Sequence, residues 1–266
     1  MNKNRIVAAL MSLSLIVTGA SAAFAQTDAP ATDQRSDVPA TDGQTDRVAD
    51  RHRDIDAIKA RALVAIENRL QRVDRLQEAV ENHREHLTGE HYGQLNSKLV
   101  TAEAGLEQLA RKIEDATTVE ELRELIPQIW EDFRVYVLLT PQVRLVIASD
   151  VAVHVGERAD EIIVRLGEAI TNLEERLGRD LPEAWNMLGA IEANVNSAVA
   201  TAGPVADTVL PLTPEDWNNG TAQPVLEAAR AAIGSAHQSF QEARQGVREL
   251  VEYLKSLVDT VSDTTG

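Results

Sequence analysis

Among its 266 residues the chain has no cysteine. That absence removes disulfide scaffolds, thiolate metal sites, cysteine nucleophiles and lipid-modified cysteines from consideration. Aromatic residues make up only 3% of the sequence, so little large apolar bulk is on hand to fill a core. Basic residues are outnumbered 26 to 42, a formal charge of -16. Such a field repels polyphosphate backbones and anionic membrane surfaces, which argues against nucleic-acid binding. Signatures of catalysis are also missing. None of the eight serines beyond residue 25 lies in a G-x-S-x-G turn, no Ser-x-x-Lys pair occurs, and no G-x-x-x-x-G-K phosphate loop is present. The carboxylate pairs Glu120-Glu121 and Glu174-Glu175 fall on amphipathic stretches and read as solvated faces. A non-enzymatic protein without a cofactor is the expectation.

What is present begins with an address. Lys3 and Arg5 precede an apolar run from Ile6 to Val17, and Ala23-Phe24-Ala25 gives a small-x-small pattern ahead of Gln26. This reads as a secretory signal peptide over residues 1–25, cleaved after Ala25. Its apolar run is too short to stay in a bilayer, and no later run of about 18 uncharged apolar residues follows. A soluble protein of the periplasm, cell envelope or extracellular space is expected, with no membrane insertion after cleavage. Residues 26–45, QTDAPATDQRSDVPATDGQT, hold almost no large apolar side chain and read as a disordered spacer.

From residue 46 the period changes to that of a helix. Ile66, Leu70, Val73, Val80 and Leu87 recur at three, four and seven residues, which predicts one long amphipathic helix over roughly 47–86. Leu87-Thr88-Gly89-Glu90-His91-Tyr92 supplies a break and a restart: Thr88 as cap, Glu90 near the positive end, Leu87 and Tyr92 as a hydrophobic staple. The next seam, Tyr92, Leu95, Leu99, Ala102, Leu106, Leu109 and Ile113, suits a coiled-coil hairpin with its helices antiparallel. Thr118 and Glu121 form a capping box for a third helix running past Tyr136, with Pro127 as a kink inside it. Residues 133–155, FRVYVLLTPQVRLVIASDVAVHV, are apolar nearly all round. Three short strands or a buried helix are both open to them, and the helical flanks favour the helix, with Thr140-Pro141 as cap and first residue. That helix should run to Leu177 and close at Gly178.

Leu181-Pro182 opens a fifth helix. Residues 203–222 read as a loop carrying a second capping motif, Leu212-Thr213-Pro214-Glu215-Asp216-Trp217, and residues 223–261 as a long amphipathic helix ahead of a tail over 262–266. The last seam runs unbroken from Leu226 through Ile233, Phe240, Val247, Leu250 and Leu254 to Val261. The two staple motifs, 87–92 and 212–217, admit both a decayed duplication and convergent capping. The expected fold is all-α: an elongated antiparallel bundle of about six helices with coiled-coil hairpins, residues 46–202 forming its main region.

Three groups of residues stand out as candidate sites. His83, His86 and His91, beside Glu85 and Glu90 at the first hairpin tip, offer three imidazoles to zinc or copper, although the spacing matches no standard zinc signature. Trp130, Phe133 and Tyr136 fit either an exposed stripe for a partner or glycan, or core filling; the scarcity of other large residues favours the core. Trp217, next to Asn218 and Asn219, and Tyr92 are the candidate interaction aromatics. Together with the segment Phe133 to Pro141, the two staple motifs resemble a group of exported helical proteins of actinobacteria. That resemblance implies an exported helical fold over most of the chain and brings no activity with it. A partial likeness to periplasmic helical chaperones of the Spy type rests on the Leu-Thr helix starts. The functional expectation is an exported structural or protein-interaction protein that self-associates or binds a protein partner through its helical seams. The alternative is an envelope binding module, chaperone-like or metal-buffering through His83, His86 and His91.

Overall fold

A computed structural model of the chain describes residues 46–264, and no strand occurs among them. The signal peptide and the spacer expected over 1–25 and 26–45 lie outside the described residues, as does the end of the tail. The protein is all-α. Five long helices carry the fold: α1 (Asp46–Asn82), α2 (Gly89–Asp115), α5 (Thr140–Leu177), α6 (Pro182–Ala202) and α9 (Ala222–Thr264). Between them lie the short helices α3 (Val119–Leu125), α4 (Gln128–Glu131), α7 (Val205–Val209) and α8 (Pro214–Asn218), and a π-helical turn over Val135–Leu139.

The chain divides into two compact units. One comprises the described residues up to Arg144 together with Leu210–Leu226; the other comprises Leu145–Val209 with Glu227 onward.

In the first unit α1 packs along α2. Their direction is read from side-chain bonds: Lys59 Nζ donates to the Glu114 carbonyl at 2.7 Å, Gln77 Nε2 to Glu103 Oε2 at 2.9 Å, and Tyr92 Oη to Glu81 Oε2 at 2.9 Å. Partner numbers fall on α2 as they rise on α1, so the hairpin is antiparallel. It closes where expected, because the Thr88 hydroxyl accepts the His91 amide at 3.1 Å and satisfies one of the orphan donors at the start of α2. The buried α2 seam is Leu95, Leu99, Ala102, Leu106, Leu109 and Ile113. On α1 the buried row reads Ala62, Ile66, Arg69, Val73, Leu76 and Val80, with a charged residue in the middle of an apolar series.

The third helix does not run through. Thr118 and Glu121 do form the reciprocal capping box that opens α3. Pro127, however, brings no amide to the ladder and ends α3, and after α4 the chain takes a left-handed turn at Arg134, φ 41 and ψ 38. The 133–155 alternative is settled as helix, but Thr140 does not cap it. Thr140 is already helical at φ -60 and is buried; its hydroxyl donates to the Val135 carbonyl at 2.8 Å. The π turn feeds directly into α5, so no amide at that junction needs a side-chain cap.

In the second unit α5 and α6 form another antiparallel hairpin. Gly178 makes the turn with φ +62, a conformation that carries little cost for glycine. Gly167 lies against Leu188 and Trp185, Gly156 against Val199, and Ser149 Oγ donates to the Ala202 carbonyl at 2.8 Å. Glu174 is not merely a solvated carboxylate: it accepts the Leu181 amide at 2.7 Å and the Trp185 indole at 3.0 Å, tying the start of α6 to the end of α5. Residues 205–209, expected as loop, are helical, and Ser149 Oγ also accepts the Ala206 amide at 3.3 Å. The core joins Ile162, Leu166, Ile170 and Leu173 of α5 to Leu188, Ile191 and Val195 of α6 and Leu250, Val251 and Leu254 of α9. One stretch within Val119–Leu177 contains an 18-residue window apolar enough to cross a membrane, and 72% of that window is buried inside the protein. Its apolar character is accounted for by packing.

Candidate functional site

The histidine cluster does not assemble. Convergence of His83 and His86 required α1 to continue through both, but α1 ends at Asn82 and residues 83–87 form turns. The His83 ring folds back on its own helix, donating from Nδ1 to the Ala79 carbonyl at 2.9 Å, and His86 Nε2 lies 3.5 Å from Glu85 Oε1. His91 enters the hairpin through its backbone amide. Among the described residues no group of three or more His, Asp or Glu side chains has the arrangement to hold a metal ion.

The two interaction aromatics named from sequence are both half-buried. Tyr92 is half-buried, with the Arg84 guanidinium 4.8 Å from its ring centroid, and its bond to Glu81 holds the phenol above its ordinary range. Trp217 is half-buried, and its carbonyl accepts Gln223 Nε2 at 3.4 Å.

Instead, the surface feature lies at Trp130 and Tyr136, which core filling does not explain. Trp130 is 40% exposed, Tyr136 47% and Val137 39%, while Arg69 beneath them is 9% exposed. The Arg69 guanidinium carbon sits 5.6 Å from the Trp130 centroid and 5.3 Å from the Tyr136 centroid, so one buried cation serves two rings. Arg69 Nη1 also donates to the Ala65 carbonyl at 2.8 Å. The Tyr136 hydroxyl donates to the Asn68 carbonyl at 3.0 Å. Below the rings, Arg72 Nε donates to Thr140 Oγ1 at 3.2 Å, and Thr140 passes its own proton to Val135. Both sides of the π turn are thereby fastened to α1. Only Phe133 of the trio points inward, its ring lying on Gly105 of α2 where any Cβ would collide with it.

A third element completes the platform. Asn218, last residue of α8, accepts Arg134 Nε at 2.6 Å on its Oδ1 and donates from Nδ2 to the Glu131 carbonyl at 3.2 Å. α8 is itself held by a capping box in which Asp216 accepts the Thr213 amide at 2.8 Å and hydroxyl at 2.7 Å. The Leu212 carbonyl accepts both Lys98 Nζ at 3.2 Å and the buried Gln142 Nε2 at 2.9 Å. Burial pulls the Lys98 ammonium below its usual pKa, with the Asp216 carboxylate opposing.

The capping carboxylates give a pH dependence. The Thr213 hydroxyl and amide hold Asp216 below the usual carboxylate range, and the Thr117 and Thr118 amides do the same for Glu121. A carboxylate depressed in the folded state contributes stability above its unfolded pKa and loses it as pH falls through the folded one. The loss therefore lies below about pH 4. Thermal melts of Asp216→Asn and Glu121→Gln should fall below wild type at neutral pH and converge with it toward about pH 3; parallel curves would show that neither box titrates.

Arg69, Arg134 and Asn218 escape sequence reasoning. One signal was available: Arg69 falls on the apolar three-four row of α1, where a charge must find a partner. An open groove lined by Leu63, Leu70, Ala110, Glu67 and Glu114 also runs between α1 and α2. Comparison with known proteins finds no family model, no curated protein and no solved structure that matches this chain.

Proposed function

We propose that the chain is an exported, non-enzymatic protein-interaction protein whose partner-binding face is the Trp130, Tyr136 and Val137 surface mounted on Arg69. One observation carries this reading: three large apolar side chains within eight residues are left in water while hydrogen bonds and a buried cation hold them in place. Exposed apolar area opposes solubility unless something covers it, and Trp, Tyr and Arg are the residues that dominate binding energy at protein interfaces. A rigid patch also loses little entropy on binding. Export rests on the positively charged start, apolar run and Ala23-Phe24-Ala25 of residues 1–25.

The test is photo-crosslinking in the native host. With p-benzoylphenylalanine in place of Val137, a discrete adduct is expected that is missing when the probe replaces Val164, a more exposed valine of the other unit at 61% against 39%. Identical adducts from both positions, or none from Val137, would defeat the reading. Mass analysis of the same material should find an N-terminus at Gln26; an intact Met1 would refute export.

A further inference from the structure

We infer that Asn218 is a latch: it holds the Arg134 turn in its left-handed form and so decides whether Trp130 and Tyr136 stand apart on Arg69. The functional consequence rests on the partner-surface reading; the latch itself does not.

Among the described residues Arg134 is the only non-glycine with positive φ. Its neighbours Asp132, Phe133 and Val135 offer no glycine or asparagine to relieve that conformation. The local sequence prefers another state. Leu125, Ile126, Ile129, Trp130, Phe133 and Tyr136 keep helical spacing, and a continuous helix is what they specify. In that helix Trp130, Phe133 and Tyr136 would share one face at three-residue intervals, with Phe133 between the other two. The observed turn breaks the stripe. Phe133 goes to Gly105, and Trp130 and Tyr136 are left to flank a single guanidinium.

Asn218 acts at the atom where the two states compete. A continuous helix needs the Glu131 carbonyl as acceptor for the Val135 amide, four residues on. Asn218 Nδ2 donates to that carbonyl at 3.2 Å, while its Oδ1 takes Arg134 Nε at 2.6 Å. One side chain thus occupies the helical acceptor and fastens the strained residue. Its position is set from outside the segment, because Thr213, Asp216 and the Leu212 carbonyl fix α8 against Lys98 and Gln142. Anything that moves α8 acts on the aromatic surface. By reciprocity a partner that prefers the separated rings tightens α8 in turn.

Solution NMR on the full mature chain tests this. In wild type Arg134 should show the strong intraresidue amide–Hα cross-peak that positive φ produces. In Asn218→Ala that peak should weaken, exchange of the Val135 amide should slow roughly three- to tenfold as it gains the Glu131 carbonyl, and the Trp130 indole signal should move. Asn218→Asp, of equal size, loses the donor to the Glu131 carbonyl but keeps an acceptor for Arg134, now a charged one, so it should shift in the same direction by less. It decides the question if the alanine variant does not fold. Unchanged Arg134, Val135 and Trp130 signals in a folded variant would overturn the latch. Signals that move as expected while the Val137 crosslink persists unchanged would instead count against the partner surface and leave the latch standing.

Discussion

Leu250→Ala is expected to destabilise the unit containing α5, α6 and α9 by about 2–5 kcal/mol, the range for deleting a fully buried leucine from a core that only partly collapses. Leu250 has no exposed surface and lies among Leu166, Ile170, Leu188, Ile191 and Leu254. Val164→Ala, on α5 of the same unit but 61% exposed, should stay within about 0.5 kcal/mol. Urea titrations of the two variants separate the cases: the Leu250 midpoint moves well below wild type at unchanged slope, and the Val164 midpoint does not. Equal, small shifts would mean that α9 does not present its apolar seam to the core. The contrast matters because both residues are apolar and both sit on long helices. Only the register of the seam distinguishes them.

That register was legible in the sequence. Leu226, Ala229, Ile233, Ala236, Ala243, Leu250 and Leu254 follow the three-four rhythm and all are buried, while Phe240 and Val247, which follow it equally well, are half-buried. Val251 is buried although it is off the seam. A helix of 3.6 residues per turn drifts against a repeat of 3.5, so over five heptads the buried stripe widens toward the next column. Helix starts at Thr88, Thr118 and Thr213 were legible for a different reason: a cap and its amide are three residues apart, and such chemistry needs no tertiary information. Thr140 looked the same in sequence and failed as a cap because the π turn before it leaves no orphan amide to satisfy.

The candidate surface was half legible. Clustering of Trp130, Phe133 and Tyr136 drew notice, and the scarcity of aromatics argued for the core. What reversed that assignment was a residue 61 positions upstream. Arg69 occupies an α1 core position, and the rings that face its charge must stay near the surface where water can reach their far edges. Asn218, 84 positions downstream of Arg134, then breaks the helix that periodicity specifies. Neither contact has a local signature. The histidines failed in the opposite way: their proximity in sequence was real, but α1 ends at Asn82, the His83 ring bonds the Ala79 carbonyl, and no metal-holding group forms among the described residues.

Arg69→Ala is the variant that joins stability to recognition. It removes two ring contacts at 5.6 and 5.3 Å, a bond to the Ala65 carbonyl and the packing of a buried aliphatic stem. Cation–π contacts of this kind are worth about 0.5–1 kcal/mol each when exposed and more when desolvated, so with the lost packing the total should reach about 2–3 kcal/mol. Arg69→Met keeps most of the stem and discards the charge. If it recovers the stability while the Val137 crosslink stays lost, the cation is there to orient the rings, since replacing a buried charge by an apolar side chain is often neutral for folding. Arg69→Lys should also fail to restore the crosslink, because a compact ammonium cannot stack flat on two rings as the planar guanidinium does. A double-mutant cycle of Arg69→Ala with Trp130→Ala should give a coupling of about 0.5–2 kcal/mol. A coupling near zero would mean that the two side chains are merely neighbours; the exposed rings would then be unsupported, and their rigidity could not be credited to the charge beneath them.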